Sequence, residues 1–476
     1  MDIRRLNATR WLLDHASATR LRGFEQPSDE LVERISVVHK KTGADVLAAE
    51  IPGLERMDAV FVNDVPHFPY WQGNANEYVF HPMSYGRLLT QLDCSAGAER
   101  YLKGLVSTAH QLSDGGLLWY YPNVYKLSRF TGPNLLPSAI GQGQILGGVV
   151  SLTKRCGTDL HDLARRIFKG LAYPYYNGGL NLEGRALLEI PLFHSAPEIV
   201  LNGWIHSLFF LKNYADHTGD RQARALLRSN YAFLADTISD FHDERTGLSL
   251  YSDMVPYQVR LEPGTDHLQI LYLPRKKHKG KLRPLLFDLW PGSPPAGSPY
   301  DNHIVKTSAS YTIAWVGCSQ LYDTYLVSES GPFEASLQTG EYSPKRATPS
   351  RGGEQISFSS KKMGPLHAVD LCSARERLFC GFPTNFSKLG YENYYHSYHV
   401  VALACLLASA PEKDIDRQAR LVLTRQLKDW LYAVDEMSSP ELAFTPFERV
   451  LDELWLYGAC NLDLSWEKLL RKVGVR

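Results

Sequence analysis

The chain has 476 residues, 44% hydrophobic and 21% charged, the composition of a globular protein long enough for two or three domains. Lysine plus arginine (51) balances aspartate plus glutamate (51), so bulk charge gives no ground for a nucleic-acid or anionic-membrane partner. No stretch reaches the ~20 apolar residues of a membrane span, and the first 23 residues lack the apolar core of a secretory leader. A soluble cytoplasmic protein without a transmembrane segment is therefore expected. Seven cysteines, an odd number without a CxxC pair, predict neither a disulfide framework nor a zinc ribbon.

Helices are predicted over 8–15 and 28–40, the second capped by Ser28 and Asp29. Short strands follow at 44–50 and 59–65 around the Pro52-Gly53 turn. Phe68-Pro69-Tyr70-Trp71-Gln72-Gly73 is an aromatic loop, which suits either a sugar platform or core lining. Helices at 82–92 and 96–111 read as a hairpin. In Leu136-Pro137-Ser138-Ala139-Ile140-Gly141-Gln142-Gly143-Gln144, the lack of Lys-Ser/Thr and of a preceding apolar strand excludes a phosphate loop. Gly141 and Gly143 instead allow close helix packing. Gln142 and Gln144 either present amides to a cleft or tie up helix ends. A helix over 160–172 and a turn over 173–179 come next.

The run from Leu188 to Leu211 organises the chain. Glu189 precedes Pro191, and Pro197 suits a first helical turn with Ser195 as cap. From Ile199 the pattern is apolar on nearly every side, broken only by Asn202 and His206, four apart. Such a helix is central, and its loop delivers Glu189 to the helix mouth. The same residues also fit a plain buried helix with a surface glutamate before it.

An amphipathic helix runs from Gly219-Asp220 to about His242. Between Tyr251 and Tyr395 the composition turns strand-like, at 268–273, 285–290, 310–316, 323–327, 356–359 and 367–371, with turns such as Pro291-Gly292-Ser293. This predicts an all-β insertion over 256–385, such as a sandwich. The basic run Arg275-Lys276-Lys277-His278-Lys279-Gly280-Lys281 is either a solvated loop or a contact for an anionic glycan. Helices are then expected through Leu407, over 414–435 and over 448–475. His396 and His399 share a helical face, but HxxH without a third ligand is a weak metal signal, so no metal is expected.

Four stretches, in order, carry a family resemblance. Glu189-Ile190-Pro191 with Ile199-Val200-Leu201-Asn202-Gly203-Trp204-Ile205-His206-Ser207-Leu208 resembles the Glu-Tyr-Pro … Phe-Val-Leu-Asn-Gly-Phe-x-Tyr-Ser-Leu run of the D-glucuronyl C5-epimerases of heparan sulfate and heparosan synthesis. Tyr78-Val79-Phe80-His81-Pro82 … Tyr85-Gly86 resembles Tyr-Phe-Tyr-Pro … Tyr-Gly, with His81 in place of a tyrosine. Leu118-Trp119-Tyr120-Tyr121-Pro122 with the Gly/Gln run resembles Trp-Pro … Trp-Tyr-Ser-Ala-Met-Ala-Gln-Gly-Gln. Asn393-Tyr394-Tyr395-His396-Ser397-Tyr398-His399-Val400 resembles Trp-Asp-Tyr-His-Thr-Thr-His-Ile. Thr246-Gly247-Leu248-Ser249-Leu250-Tyr251 is similar to the family's Ser-Gly-Thr-Ile-Tyr, but Met254 stands where its arginine would be, leaving Arg260 as the substitute. The matches span about 68–255 and 385–410, under half the chain.

The recurring helix pairs suggest an α/α toroid, and the resemblance implies the same: an incomplete α/α barrel catalytic domain (81–255 plus 386–476) with the β-rich insertion, after N-terminal helices and a short β hairpin over 1–80. The implied reaction is C5 epimerisation between D-glucuronate and L-iduronate units. It needs a base on the C5 hydrogen, an acid on the opposite face and charge stabilisation at the carboxylate. The assignment is Glu189, Tyr251 and Tyr395 as the acid/base group. Tyr121, Gln142, Gln144, Asn202 and Arg260 hold the substrate, and His396 and His399 orient or stabilise. No cofactor is needed. The partner is a uronate-containing polysaccharide or oligosaccharide, and a homodimer is compatible. The animal enzymes of this family are Golgi-anchored, so a bacterial or archaeal relative fits the cytoplasmic expectation better. The rival readings are a uronate polysaccharide lyase, which forms the same carbanion and expels the C4 oxygen, and a non-catalytic glycan-binding or assembly protein. A glycoside hydrolase would need a second placed carboxylate.

Overall fold

The computed structural model describes residues 27–39, 46–47, 59–70, 76–92, 94, 98–122, 135–189, 191, 197–243, 247–261, 268–278, 280–289, 304–308, 311–319, 321–338, 355–363, 366–371, 394–437, 444–460 and 462–475. The expected helix over 8–15, the loop residues 71–73 and Ser195 lie outside them. The fold mixes α-helices with antiparallel sheet.

The first helix, α1 (Asp29–Ile35), is capped by Ser28, whose hydroxyl accepts from the Leu31 amide. Next come α2 (Pro82–Gln91), α3 (Ala98–Ser107), α4 (Ala139–Cys156), α5 (His161–Ala172), α6 (Leu201–Thr218), α7 (Arg221–Thr237), α8 (Tyr394–Ser409), α9 (Arg417–Met437), α10 (Phe447–Leu456) and α11 (Trp466–Val473). α4, α6 and α8 are buried along almost their whole length, and they lack amphipathic patterning because every side meets protein. α2 packs on α4, α4 on α6, α6 on α8 and α8 on α10. The amphipathic helices back them: α5 on α4, α7 on α6, α9 and α11 on α8. Past α10 the chain returns to α2, where the Arg87 guanidinium lies 4.9 Å over the Tyr457 ring.

Close approach of α2 and α4 depends on missing side chains. A Cβ on Gly86 would lie 2.3 Å from the Gln144 carbonyl carbon, and one on Gly148 would lie 2.4 Å from the Gly86 oxygen. Glycine thus does permit tight helix packing here, with Gly86 and Gly148 the critical pair.

The central helix α6 starts at Leu201, four residues later than Pro197 suggests. Residues 199–201 are instead held extended against residues 251–253. Ile199 N donates to Asp253 Oδ1 (2.8 Å), Asp253 N donates to Ile199 O (3.2 Å) and Leu201 N donates to Tyr251 O (3.0 Å). Backbone groups that a first helical turn would leave unpaired find partners in this bridge.

An N-terminal antiparallel sheet has the order β1 (Val38–His39), β5 (Glu77–Val79), β4 (Val65–Pro69), β3 (Ala59–Val62), β2 (Val46–Leu47). Short two-stranded pairs join β6 (His110–Gln111) to β7 (Leu117–Leu118), β8 (Tyr120–Tyr121) to β9 (Leu136–Pro137), and β10 (Asn181–Leu182) to β11 (Ala186–Leu187). Two five-stranded antiparallel sheets follow. One has the order β15 (Ile304–Ser308), β16 (Tyr311–Ser319), β12 (Met254–Leu261), β18 (Glu334–Gln338), β19 (Gln355–Ser359). The other has the order β14 (Leu285–Leu289), β13 (Leu268–Pro274), β17 (Tyr322–Ser328), β21 (Leu366–Asp370), β20 (Lys361–Met363). The chain passes repeatedly between these two sheets, so neighbours in sequence are often not neighbours in a sheet.

The sheets are tied to the helices. Ser319 Oγ donates to Asp253, beside the start of α6. Lys277 pairs with Asp240, Lys281 with Asp236 and Arg283 with Glu183. Two lysines of the basic run are therefore engaged in ion pairs within the chain. Val259, Ile270, Tyr272, Leu321 and Leu326 belong to the same buried apolar cluster as the helices.

The cysteine reading needs correction. Cys94 and Cys156 form a disulfide that links the segment after α2 to the C-terminal end of α4. The two lie 62 residues apart, so no local spacing announced the pair. Cys405 and Cys460 are buried free thiols.

Candidate active site

Four helices begin at the same end of the molecule. Gly141 of α4 sits against Pro82 of α2 and the Tyr121 ring, Ala139 N donates to Leu188 O beside Glu189, and Leu201 N donates to Tyr251 O. Tyr251 in turn meets Tyr395 on the first turn of α8, edge to face, with ring centroids 4.7 Å apart. The N-termini of α2, α4, α6 and α8 thus lie around one place, each contributing partial positive charge from its aligned peptide dipoles.

Glu189 lies on this place. Its side chain runs over the bare Cα of Gly203: a Cβ there would lie 2.0 Å from Oε2 and 2.5 Å from the Glu189 Cβ. Among the described residues Oε2 is buried and has no hydrogen-bond partner. Burial, reinforced by the charge of Glu198, pushes the carboxyl up to about 8, against the opposing pull of the Gly203 backbone amide. At neutral pH Glu189 is therefore mostly protonated and poised to donate. Asn202, 8% exposed, keeps an unpartnered Oδ1 one residue away along α6. The buried Tyr121 hydroxyl is raised by desolvation and then by the Glu189 charge, and its ring meets His81 edge-on at 5.0 Å. His81 caps α2 through Nδ1, which accepts from Ser84 N, and burial pulls its pKa down to about 4.

Glu189, Tyr121 and Asn202 therefore lie together, and the Tyr251–Tyr395 pair is joined to them through the start of α6. Gln142 and His396 are engaged elsewhere. Gln142 is fully committed: its Oε1 accepts from Trp119 N, and its Nε2 donates to Leu117 O and Ile167 O. It braces the helix packing and has no amide group left for a sugar. His396 and His399 do share a helical face, but that face turns inward. His396 Nδ1 accepts from Ser249 N and Nε2 donates to Trp430 O, while His399 Nδ1 contacts Ser249 Oγ at 2.8 Å. They pin α8 to the 249 segment and, through His396, to α9, while His399 Nε2 stays buried without a hydrogen-bond partner among the described residues. Arg260 is the penultimate residue of β12, opposite Ile313 and Ser336 in the sheet ladder, and its side chain is not among those described. Gln144 sits deeper, along the path of a buried polar chain. No cluster of three or more His, Cys, Asp or Glu fit to hold a metal occurs among the described residues.

No known protein family, curated protein or solved structure matches the chain.

Four residues to which the sequence reading gave no role in the site belong to this region. Glu198 is a buried acid next to Ile199, and the signal for it was a lone carboxylate inside an apolar run. Tyr398 lies on the Tyr394 side of α8, its ring 5.9 Å from that of Tyr394, and its hydroxyl meets His206 Nδ1 at 2.5 Å. His206 interrupted the apolar pattern of α6 four residues after Asn202, which marked it as placed for a polar purpose. Asp253, which holds Ile199 N and Ser319 Oγ, is pushed up to about 7 by burial, so three acids crowd the start of α6.

Proposed function

We propose that this chain is a uronate C5-epimerase acting on a glucuronate-containing polysaccharide or oligosaccharide. The observation that carries the reading is the buried Glu189 carboxyl near Tyr121 and Tyr398, at the end where four helices begin and Tyr251 meets Tyr395. Removing C5–H next to a carboxylate needs an acid and a base on opposite faces of the sugar, without a redox partner. Glu189 supplies one of these groups and a tyrosine at the same end the other, while Tyr121 and Asn202 hold the sugar. The sugar carboxylate is stabilised by the helix N-termini, which take over the task for which Arg260 was a candidate. The protonated state of Glu189 at neutral pH favours it as the acid.

The helix pairs α4–α5, α6–α7 and α8–α9, with α2 and α10 at the closure, support the finer reading of an incomplete α/α toroid. In it, the strands from β12 to β21, Met254 to Asp370, form the inserted β-rich module. No helix among the described residues is long and apolar enough to cross a membrane. The Cys94–Cys156 bond is of a kind that persists in oxidising compartments, and so lends no support to a cytoplasmic location.

The test is incubation with a heparosan oligosaccharide in deuterated water. The epimerase reading expects deuterium at C5 and iduronate units without unsaturated ends. Ultraviolet-absorbing unsaturated ends would make the chain a lyase, and binding with neither product would make it a glycan-binding protein.

A further inference from the structure

A buried chain of hydrogen bonds runs inward from the site. The Tyr398 hydroxyl meets His206 Nδ1 at 2.5 Å, His206 Nε2 meets Gln144 Oε1 at 3.2 Å, and Gln144 Nε2 donates to Tyr457 O at 2.8 Å. The last bond fixes the rest. Because the Gln144 amide nitrogen is spent on a carbonyl, its oxygen faces His206, so His206 Nε2 carries the hydrogen. Nδ1 then holds a lone pair and accepts the Tyr398 O–H. Both ring nitrogens face oxygens that can accept, so the imidazole can take a second proton without losing either bond. The hydroxyl oxygen keeps a lone pair for an incoming hydrogen. Gln144 and His206 are fully buried and Tyr398 is nearly so, and such a chain has a cost unless every member is paired.

We infer that Tyr398 and His206 form a proton relay that takes the C5 hydrogen from one face of the uronate while Glu189 serves the other. This rests on the epimerase reading and names the second member of its acid/base pair. Tyr251 and Tyr395 then wall the sugar ring. In the forward direction the C5 hydrogen passes as a proton to the Tyr398 oxygen, and the proton that Tyr398 already held moves to His206 Nδ1. The electron pair of the C–H bond is left on the C5 carbanion, delocalised into the sugar carboxylate. Glu189 gives its carboxyl proton to the opposite face of C5, which inverts the centre. The chain now holds a Glu189 carboxylate and a His206 imidazolium. A proton moving from His206 through Tyr398 back to Glu189 resets it, and the reverse reaction runs the same steps backward. The resting state has Glu189 protonated and His206 neutral, the states that burial favours for both. The ionisable groups around the Tyr398 hydroxyl are Tyr394 and Cys405 on its own helix, Tyr457 after α10, and Glu189. Those around His206 are Tyr398, Tyr457 and, over Tyr457, Arg87.

The experiment is C5 hydrogen exchange on a heparosan oligosaccharide in deuterated water, with affinity for the same oligosaccharide measured by calorimetry. Tyr398→Phe and His206→Phe each keep a ring and remove one link. Each is expected to slow inversion by roughly 10²-fold or more at unchanged affinity, whereas Tyr395→Phe acts mainly on affinity. Nitrogen-15 shifts of the wild-type His206 ring are expected to show Nδ1 bare and Nε2 protonated near neutral pH. Inversion at the wild-type rate in Tyr398→Phe, a matching loss of affinity in that variant, or the opposite His206 tautomer would each overturn the relay alone. A wild-type chain that exchanges no C5 hydrogen would overturn the epimerase reading first, and the relay with it.

Discussion

Glu189 is shaped by what surrounds it more than by what it touches. Its pKa of about 8 in the folded chain compares with 4.5 for a free glutamate. Between those values the folded state binds more protons than the unfolded state. Its neutral form is therefore accommodated at full stability below about pH 4.5, and stability falls as pH rises toward 8. Glu189→Gln should remove the acid and keep the shape. Inversion is expected to drop about 10²-fold or more, while the variant unfolds at a higher denaturant midpoint than wild type, by a margin that widens from pH 5 to pH 8. An unchanged midpoint at pH 8 would show that the carboxyl is not desolvated. Gly203→Ala tests the placement instead of the chemistry: a methyl group there occupies the space of the carboxyl oxygen, so activity should be lost although no reactive group is removed. Measured turnover close to wild type would contradict the packing of Glu189 on α6. His206 has the opposite sign. Burial pulls it to about 3 from 6.5, so the folded state binds fewer protons, and its contribution is whole above pH 6.5 and lost as pH falls toward 3.

At the scale of elements, the apolar run from Ile199 announced a central helix because no side of it could face water, and α6 is that helix. Its start could not be read. Pro197 fits a first turn locally, but the carboxylate of Asp253, fifty-four residues later in sequence, claims the Ile199 amide. The same limit explains Gln142 and the two histidines of α8. Type and spacing marked them as polar groups on helices, but their partners (Trp119, Ile167, Ser249, Trp430) come from elsewhere in the chain and decide that they brace the core. Glu189, Tyr251 and Tyr395 were legible through motif order, while Tyr398 and His206 became visible only as a pair, once α6 and α8 were packed together. The Cys94–Cys156 bond is another long-range link, closing the span from α2 to the end of α4. Reducing it should lower unfolding free energy by roughly 2–4 kcal/mol, read from denaturant curves with and without a strong thiol reductant. Identical curves would mean that the bond carries no stability.

Across the whole molecule, the two large sheets were foreseen as strand-rich composition, yet their strand orders were not, since the chain crosses between the sheets several times, mostly leaving two consecutive strands in one before passing to the other. Their side chains share an apolar cluster with the helices, and Asp253 joins β16 to the mouth of α6. The sheets thereby brace the end at which the four helices begin. The central claim is that this end inverts C5 of a uronate, with Glu189 protonated and His206 neutral in the resting state. The pH dependence of glucuronate-to-iduronate inversion, started from a heparosan oligosaccharide in deuterated water, tests it most directly. The account predicts a plateau through neutral pH and a fall as pH rises through about 8, where Glu189 loses its proton. A rate that instead climbs through pH 8 would contradict it, because Glu189 would then be working as the base.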